Sequence, residues 1–384
     1  MSKLDELIAE FCPDGVEYRR VGDIADYEQP SKYLVKSTDY NDNFEIPVLT
    51  AGQTFILGYT NEKEGIYNAS PEKPVIIFDD FTGAFKWVDF PFKAKSSAMK
   101  MITSKSDVLI RYLYHLMGFL NYSSDEHKRL WISVYSELQV PVPPLEVQRE
   151  IVHILDSFTL LTAELTAELT ARKKQYEFYR DNLIKKEQHI SEVKKLADVA
   201  NIYDSLHQTP SYSNSGYSMV RVQDIKGGYV DEDKTLKVDE SVWNLFTQKY
   251  TPQLNDIVVS RVGSYGNFAL IPNDKCCLGQ NVALIHPNIN PKYLYHVLMS
   301  TMTKQWINNN VKGASQKSFS LADIKRVPVP VPKDNIQQRI AEVLDNFESI
   351  CTNLSIGLPA EIEARQKQYE YYRDKLLSFK ELPK

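Results

Sequence analysis

The chain lacks most of what announces chemistry. Only four of its 384 residues are cysteine, at 12, 276, 277 and 351. They have no metal-ligand spacing, and the seven histidines do not gather beside them, so reduced structural thiols and no metal are expected. Its longest apolar runs fall far short of the ~20 residues that span a bilayer. The opening MSKLDELIAEF has no apolar core like that of a signal peptide, which places the expected location in the cytoplasm. No glycine-rich loop ends in Lys-Ser or Lys-Thr, which excludes an ordinary NTPase site. Asn290-Pro291-Lys292-Tyr293 lacks the second proline of an adenine methyltransferase loop, and Gly227-Gly228 lacks the spacing of a cofactor turn. No serine, histidine and acid suggest a triad. The pair Asp79–Asp80 reads as a turn or a solvated strand end rather than a nuclease site. No catalytic residue is expected. An excess of positive charge is also missing: 45 Lys and Arg against 50 Asp and Glu leave a net charge of −5. That argues against a protein coating nucleic acid alone, though not against a recognition subunit whose partners supply positive surface.

What the chain does contain, it contains twice. ARKKQYEFYRDNLI at 171–184 returns as ARQKQYEYYRDKLL at 364–377, identical at ten of fourteen positions. LEVQREIVHILDSF at 145–158 matches DNIQQRIAEVLDNF at 334–347, and both follow a VPVP segment. RYLYHLM at 111–117 matches KYLYHVL at 292–298, and YRRVGDIADY at 18–27 lies opposite VKKLADVANI at 193–202. Two units of about 190 residues indicate duplication with pseudo-two-fold symmetry rather than a solenoid. Strand candidates are short and β-branched or aromatic: PVIIFDDF at 74–81, AMKMI at 98–102, DIVVSRV at 256–262 and NVALI at 281–285.

Each half ends in a long helical pattern. Ile151, Leu155, Phe158, Thr162, Leu165, Leu169, Arg172, Tyr176, Tyr179 and Leu183 alternate spacings of four and three, a heptad seam. Ile340, Leu344, Phe347, Cys351, Leu354 and Leu358 follow the same rule. Ile362, Arg365, Tyr369, Tyr372 and Leu376 resume it after an extra step of four. That step is the size of a stutter, and Gly357 and Pro359 make a local break the rival reading. If the two seams face each other, chain direction makes the pair antiparallel. The competing view is that each helix merely covers its own domain. The expected class is α+β: two pseudo-symmetric β-rich globular domains separated by a long antiparallel pair of coiled-coil helices. The expected boundaries are 1–143 for the first domain, 144–190 for the first helix, 191–332 for the second domain and 333–384 for the second helix. Arg172, Tyr176 and Tyr179, with Arg365, Tyr369 and Tyr372, suit a packed layer that sets register, or a surface shared with another subunit.

VPVPPLEVQREIVHILDSF and VPVPVPKDNIQQRIAEVLDNF resemble the proline-rich entry to the conserved helices of type I restriction–modification specificity (S) subunits. QTPSYSNSGYSMVRVQDIKGGYV at 208–230, with NDIVVSRVGSYGNFALI at 255–271, is similar to a target recognition domain of that family. Gln208 stands where a glycine usually precedes TPS, and the first domain has no TPS counterpart. The resemblance implies a non-catalytic subunit that reads a bipartite, asymmetric site on double-stranded DNA. It further implies two methyltransferase (M) subunits as partners, which carry S-adenosylmethionine, and restriction (R) subunits in the full complex. No cofactor is expected in this chain.

Groups able to reach bases or phosphates then stand out. In the second domain they are Gln208, Thr209, Ser211 and Tyr212; Arg261, Ser264, Tyr265 and Asn267; and Lys312, Ser315, Gln316 and Lys317. Tyr265 equally suits a half-buried strand aromatic. In the first domain they are Thr82 and Lys86 in one turn, and Lys128 and Arg129 beyond it, although Glu126 opposes close approach of DNA there.

Overall fold

The computed structural model describes residues 2–52, 54–122, 128–311, 318–352 and 357–383. The chain divides into two compact units, one of residues 1–164 with 362–384 and one of 165–361.

In the first unit, Glu17–Arg20 pairs antiparallel with Gln139–Val142, so the first VPVP segment is a strand. Proline lacks a ladder donor but is tolerated on an edge. Here Tyr112 donates its hydroxyl to the Pro141 carbonyl at 3.2 Å. A four-stranded sheet runs in the order Ala25–Glu28, Met99–Ser104, Val75–Asp79 and Phe85–Val88. A three-stranded sheet places Ile46–Leu49 between Ile56–Thr60 and Lys93–Ala94, the last pairing being parallel. Ile76 and Phe78 face one apolar cluster while Val75 and Ile77 face another. The strand is buried on both faces, which explains why its sequence is continuously apolar.

The second unit repeats this plan. Glu192–Lys195 pairs with Pro328–Val331, and Tyr293 donates to the Pro330 carbonyl at 2.9 Å. Its four-stranded sheet is ordered Ala200–Asp204, Val282–Pro287, Ile257–Ser260 and Phe268–Leu270. The three-stranded sheet sets Tyr217–Val220 between Leu236–Val238 and Cys276–Leu278, again with the last pairing parallel. Even the polar joints recur. The Gln148 amide donates to the carbonyls of Asp107 and Pro143 and accepts from the Leu109 N–H; Gln337 donates to the Pro332 carbonyl and accepts from the Asn290 N–H.

The first long helix is continuous from Leu145 to Ile190. Its counterpart is two helices, Asp334–Thr352 and Leu358–Leu376, with Pro359 in the first turn of the latter, where its missing N–H costs nothing. Both competing readings of the seam hold in part. Ile151 and Leu155 are buried in the core of the first unit, and Ile340 and Leu344 in that of the second, so each helix begins by covering its own domain. The later repeats do otherwise. Tyr176 and Ile184 belong to the core of the second unit, while Leu377 is buried in the first, with Tyr369 packed against that core. Within the second unit the two helices run antiparallel: Tyr179 packs on Phe347 with ring centroids 5.5 Å apart, while Arg172 and Lys173 act electrostatically on Cys351. All four cysteines are buried free thiols, and burial pushes Cys276 and Cys277 up to about 12.

Candidate nucleic-acid interface

In the second unit a cleft of about 380 Å³ collects side chains from four stretches of chain. Thr209 and Tyr212 come from the TPS segment and Ser264 from the turn after Ile257–Ser260. The cleft also takes in Arg221, Gln223 and Lys226, and then Gln280 and Asn281, which sequence reading passed over. Arg221, Gln223 and Lys226 fall within the 208–230 stretch without standing out in it, and no motif marks Gln280 or Asn281; the two stretches border strands that are adjacent only in the fold. Gln208, Thr209, Ser211 and Tyr212 are all exposed.

The turn at 261–267 is built by glycine. Gly263 and Gly266 adopt φ of +72° and +73°, a region that costs other residues strain. Inside the turn the Ser260 hydroxyl donates to the Ser264 carbonyl, as does the Asn267 amide at 2.7 Å. Ser264 is left exposed at the tip. Tyr265 packs against the apolar core, the half-buried aromatic that its position allowed. The guanidinium of Arg261 is paired with Asp204 and also donates to the Phe319 carbonyl at 3.4 Å. Lys312, Ser315, Gln316 and Lys317 lie outside the described residues.

In the first unit the turn Thr82–Lys86 lines a cleft of about 600 Å³ together with Gln366, Tyr369, Glu370 and Arg373 of the second repeat helix. Asp79 fixes this turn by accepting from the N–H groups of Phe81 and Thr82 at 3.0 and 2.9 Å. Asp80 is different: it is buried, sits 3.0 Å from the equally buried Lys100 ammonium, and accepts from the Trp131 N–H. One member of the acidic pair is therefore a turn residue and the other a core ion pair. Lys128 and Arg129 are exposed at the entry to Leu130–Ser133.

The six helix residues separate into three kinds. Tyr176 is buried and shares a hydrogen bond with His296 Nδ1 at 3.0 Å; His296 Nε2 lies 2.8 Å from Asp345. Tyr369 does the same with His115 Nδ1 at 3.0 Å, and His115 Nε2 lies 2.9 Å from Asp156. Burial raises both phenols, Tyr369 to about 12, so they remain protonated donors. A phenol that keeps its proton can donate to Nδ1 of its histidine, whose Nε2 faces the carboxylate. Tyr179 and Tyr372 are exposed yet packed on one side, Tyr179 tilted against Phe347 and Tyr372 stacking on Phe158 at 5.2 Å. Arg172 is exposed beside Glu168, and Arg365 is half-buried beside Gln368. Sequence reading missed the residues between the tyrosines: Phe178 and Tyr371, equivalent in the two repeats, are 64% and 62% exposed.

His296, Asp345 and Glu348 bring potential ligand atoms within 4.8 Å of one another. Each of the three already makes hydrogen bonds within the protein. Both ring nitrogens of His296 are bonded, and the Glu348 oxygens accept from Tyr229 at 2.9 Å and Tyr295 at 3.1 Å. The group is a polar joint between the repeat helix and the domain.

Known proteins share this organisation. The family model described as type I restriction modification DNA specificity domain matches residues 13–172 and again 190–364. The Escherichia coli type I restriction enzyme EcoR124I/EcoR124II specificity subunit is 44% identical, over 99% of this chain and 97% of its own length. A putative type I restriction enzyme specificity subunit of Haemophilus influenzae is 28% identical, over 95% and 96%. In fold, the chain is similar to the crystal structure of a type I restriction–modification S subunit from M. genitalium, with a TM-score of 0.56 at 12% identity, covering 94% of this chain and 96% of that one. With both halves matched in order and one relative alike along nearly its whole length, the chain belongs to the type I restriction–modification specificity subunits, the non-catalytic, DNA-binding members of those systems.

Proposed function

We propose that the chain reads a bipartite, asymmetric site on double-stranded DNA, one half-site through each recognition domain, 1–143 and 191–332. The helical segments 144–190 and 333–384 hold the unspecified spacer. The observation that carries this reading is that two units share one plan of sheets and joints but differ in what they display. The second offers Thr209, Tyr212 and Ser264 in a cleft, where the first offers the turn Thr82–Lys86. A common frame with unlike reading surfaces is what an asymmetric target requires.

Two methyltransferase subunits dock on the duplicated helices, bring S-adenosylmethionine and modify adenine; restriction subunits complete the assembly, in the cytoplasm. Such partners also supply the positive surface that a chain of net charge −5 lacks. The deciding experiment combines the chain with its methyltransferase subunit and maps modified adenines on random DNA. Modification within one split motif, only when both proteins are present, is the expected result. A stable complex without sequence preference contradicts the reading, and absence of any complex points to a scaffold for other proteins.

A further inference from the structure

The cleft of the second unit has no carboxylate in its lining, although acids outnumber bases in the chain as a whole. Its polar groups are also held in defined directions. Arg221 is clamped by Asp224, whose two oxygens take its Nε and Nη2 at 3.0 and 3.1 Å. Oriented to satisfy both groups, the Gln223 carbonyl accepts from the Arg221 guanidinium at 2.6 and 3.0 Å, so its NH2 takes no part in that pairing, and the residue is exposed. In the same cleft the exposed Gln280 donates from its amide to the Thr209 hydroxyl at 3.3 Å, and its carbonyl accepts no hydrogen bond among the described residues. Its backbone is set by Gly279, which donates to the Val220 carbonyl at 2.8 Å, and by Asn281 at φ +62°. Among the described residues Lys226 is exposed and has no ion-pair partner.

We infer that Gln223 and Gln280 are the residues through which the second unit reads base edges, with Lys226 placing a charge on the backbone phosphate beside them. This rests on the DNA-reading function proposed above and adds the determinants of one half-site. A donor and an acceptor at one cleft match the major-groove edge of a base pair, where amino donors alternate with N7 and carbonyl acceptors. A lysine ammonium suits phosphate, which needs charge and carries no sequence information. Bonds already made to Arg221 and Thr209 restrict both carboxamides before DNA arrives, which reduces the ordering cost of binding.

The test uses the full chain assembled with its methyltransferase subunit. Motifs modified by the wild type, Gln223→Ala, Gln280→Ala and Lys226→Ala are mapped on random DNA, and binding is measured across a salt series. Each glutamine variant should lose about tenfold discrimination at one or two positions, all in one half-site. The other half-site stays unchanged and reports that the variant is folded. Lys226→Ala should weaken binding to all sequences alike and flatten the salt dependence by about one ion. Unchanged base preference in both glutamine variants overturns the inference, as does equal relaxation of both half-sites. Absence of a split motif in the wild type instead overturns the broader function.

Discussion

Tyr176, written in the first half of the chain, places its hydroxyl 3.0 Å from Nδ1 of His296, written in the second. The equivalent tyrosine of the second repeat, Tyr369, meets His115 of the first half at the same distance. Each domain thus takes the repeat helix of the opposite half into its own core. Arg180 and Arg373 flank the two tyrosines, their guanidinium carbons 5.3 and 5.8 Å from the ring centres. The duplicated helix is two copies of one plug, each seated in the other half's socket.

Tyr176→Phe keeps the ring and removes the hydroxyl. It should destabilise the second unit by about 1 kcal/mol, the usual net worth of one buried hydrogen bond. Tyr176→Ala should cost about 3–5 kcal/mol, since the packed ring is lost as well. Urea unfolding with a double-mutant cycle against His296→Ala checks this, and a coupling energy near zero would count against the plug.

His115 is fully buried, and burial holds its pKa below the ordinary histidine value despite the opposing pull of Asp156. Below about pH 6.5 the unfolded chain takes up a proton there that the folded chain does not. Stability contributed at this site is therefore complete above about pH 6.5 and falls as pH drops toward the lowered folded value. For Asp156, burial raises the pKa, but bonds from His115 and Arg111 outweigh it and leave the carboxyl below its usual range, so its contribution is lost at still lower pH. His115→Gln should flatten the stability profile just below pH 6.5, measured by denaturant midpoints across pH.

Two glycines at similar φ should respond differently to alanine. At Gly83, φ +74°, an added methyl carbon would lie 2.6 Å from the Tyr122 carbonyl oxygen. At Gly263, φ +72°, it would meet nothing within 4 Å. Gly263→Ala should cost about 1–2 kcal/mol from backbone strain alone. Gly83→Ala should cost more and displace the turn Thr82–Lys86. Thermal melts and motif mapping for both variants separate strain from collision.

The buried Lys100–Asp80 pair should be intolerant of half-removal. Asp80→Ala strands an ammonium with no other carboxylate at ion-pair distance among the described residues, costing about 3–5 kcal/mol. Replacing both residues with apolar groups of similar volume should recover most of that loss in the same unfolding assay.

Phe178 and Tyr371 are equivalent, exposed, and on the helix face turned away from the tyrosine plugs. Replacing both with serine should leave stability within about 0.5 kcal/mol, as for most surface changes. It should weaken assembly with the methyltransferase subunit by tenfold or more, as truncating an aromatic anchor does. Sedimentation of the mixture reads this directly; unimpaired assembly would place the docking face elsewhere.

The sequence by itself determined a large part of this protein. Duplication, the VPVP entries, the short β-branched strands at 75–79 and 257–260, and the seam of the long helices follow from patterns a few residues long. Those patterns are local because hydrogen-bond geometry and side-chain period are local. Only the tertiary structure decided which socket each tyrosine fills. The two 14-residue repeats are nearly identical, and so are the histidines they meet, so no composition or period distinguishes a domain's own helix from the other's. The long rise of an unbroken helix carries Tyr176 beyond its own domain, and burial against His296 then settles the partner. The cleft of the second unit was legible only in part. Thr209 and Ser264 stand out in the sequence as groups able to reach DNA, but Lys226 and Gln280 join them in one site only when strand pairing brings those separate stretches to one edge.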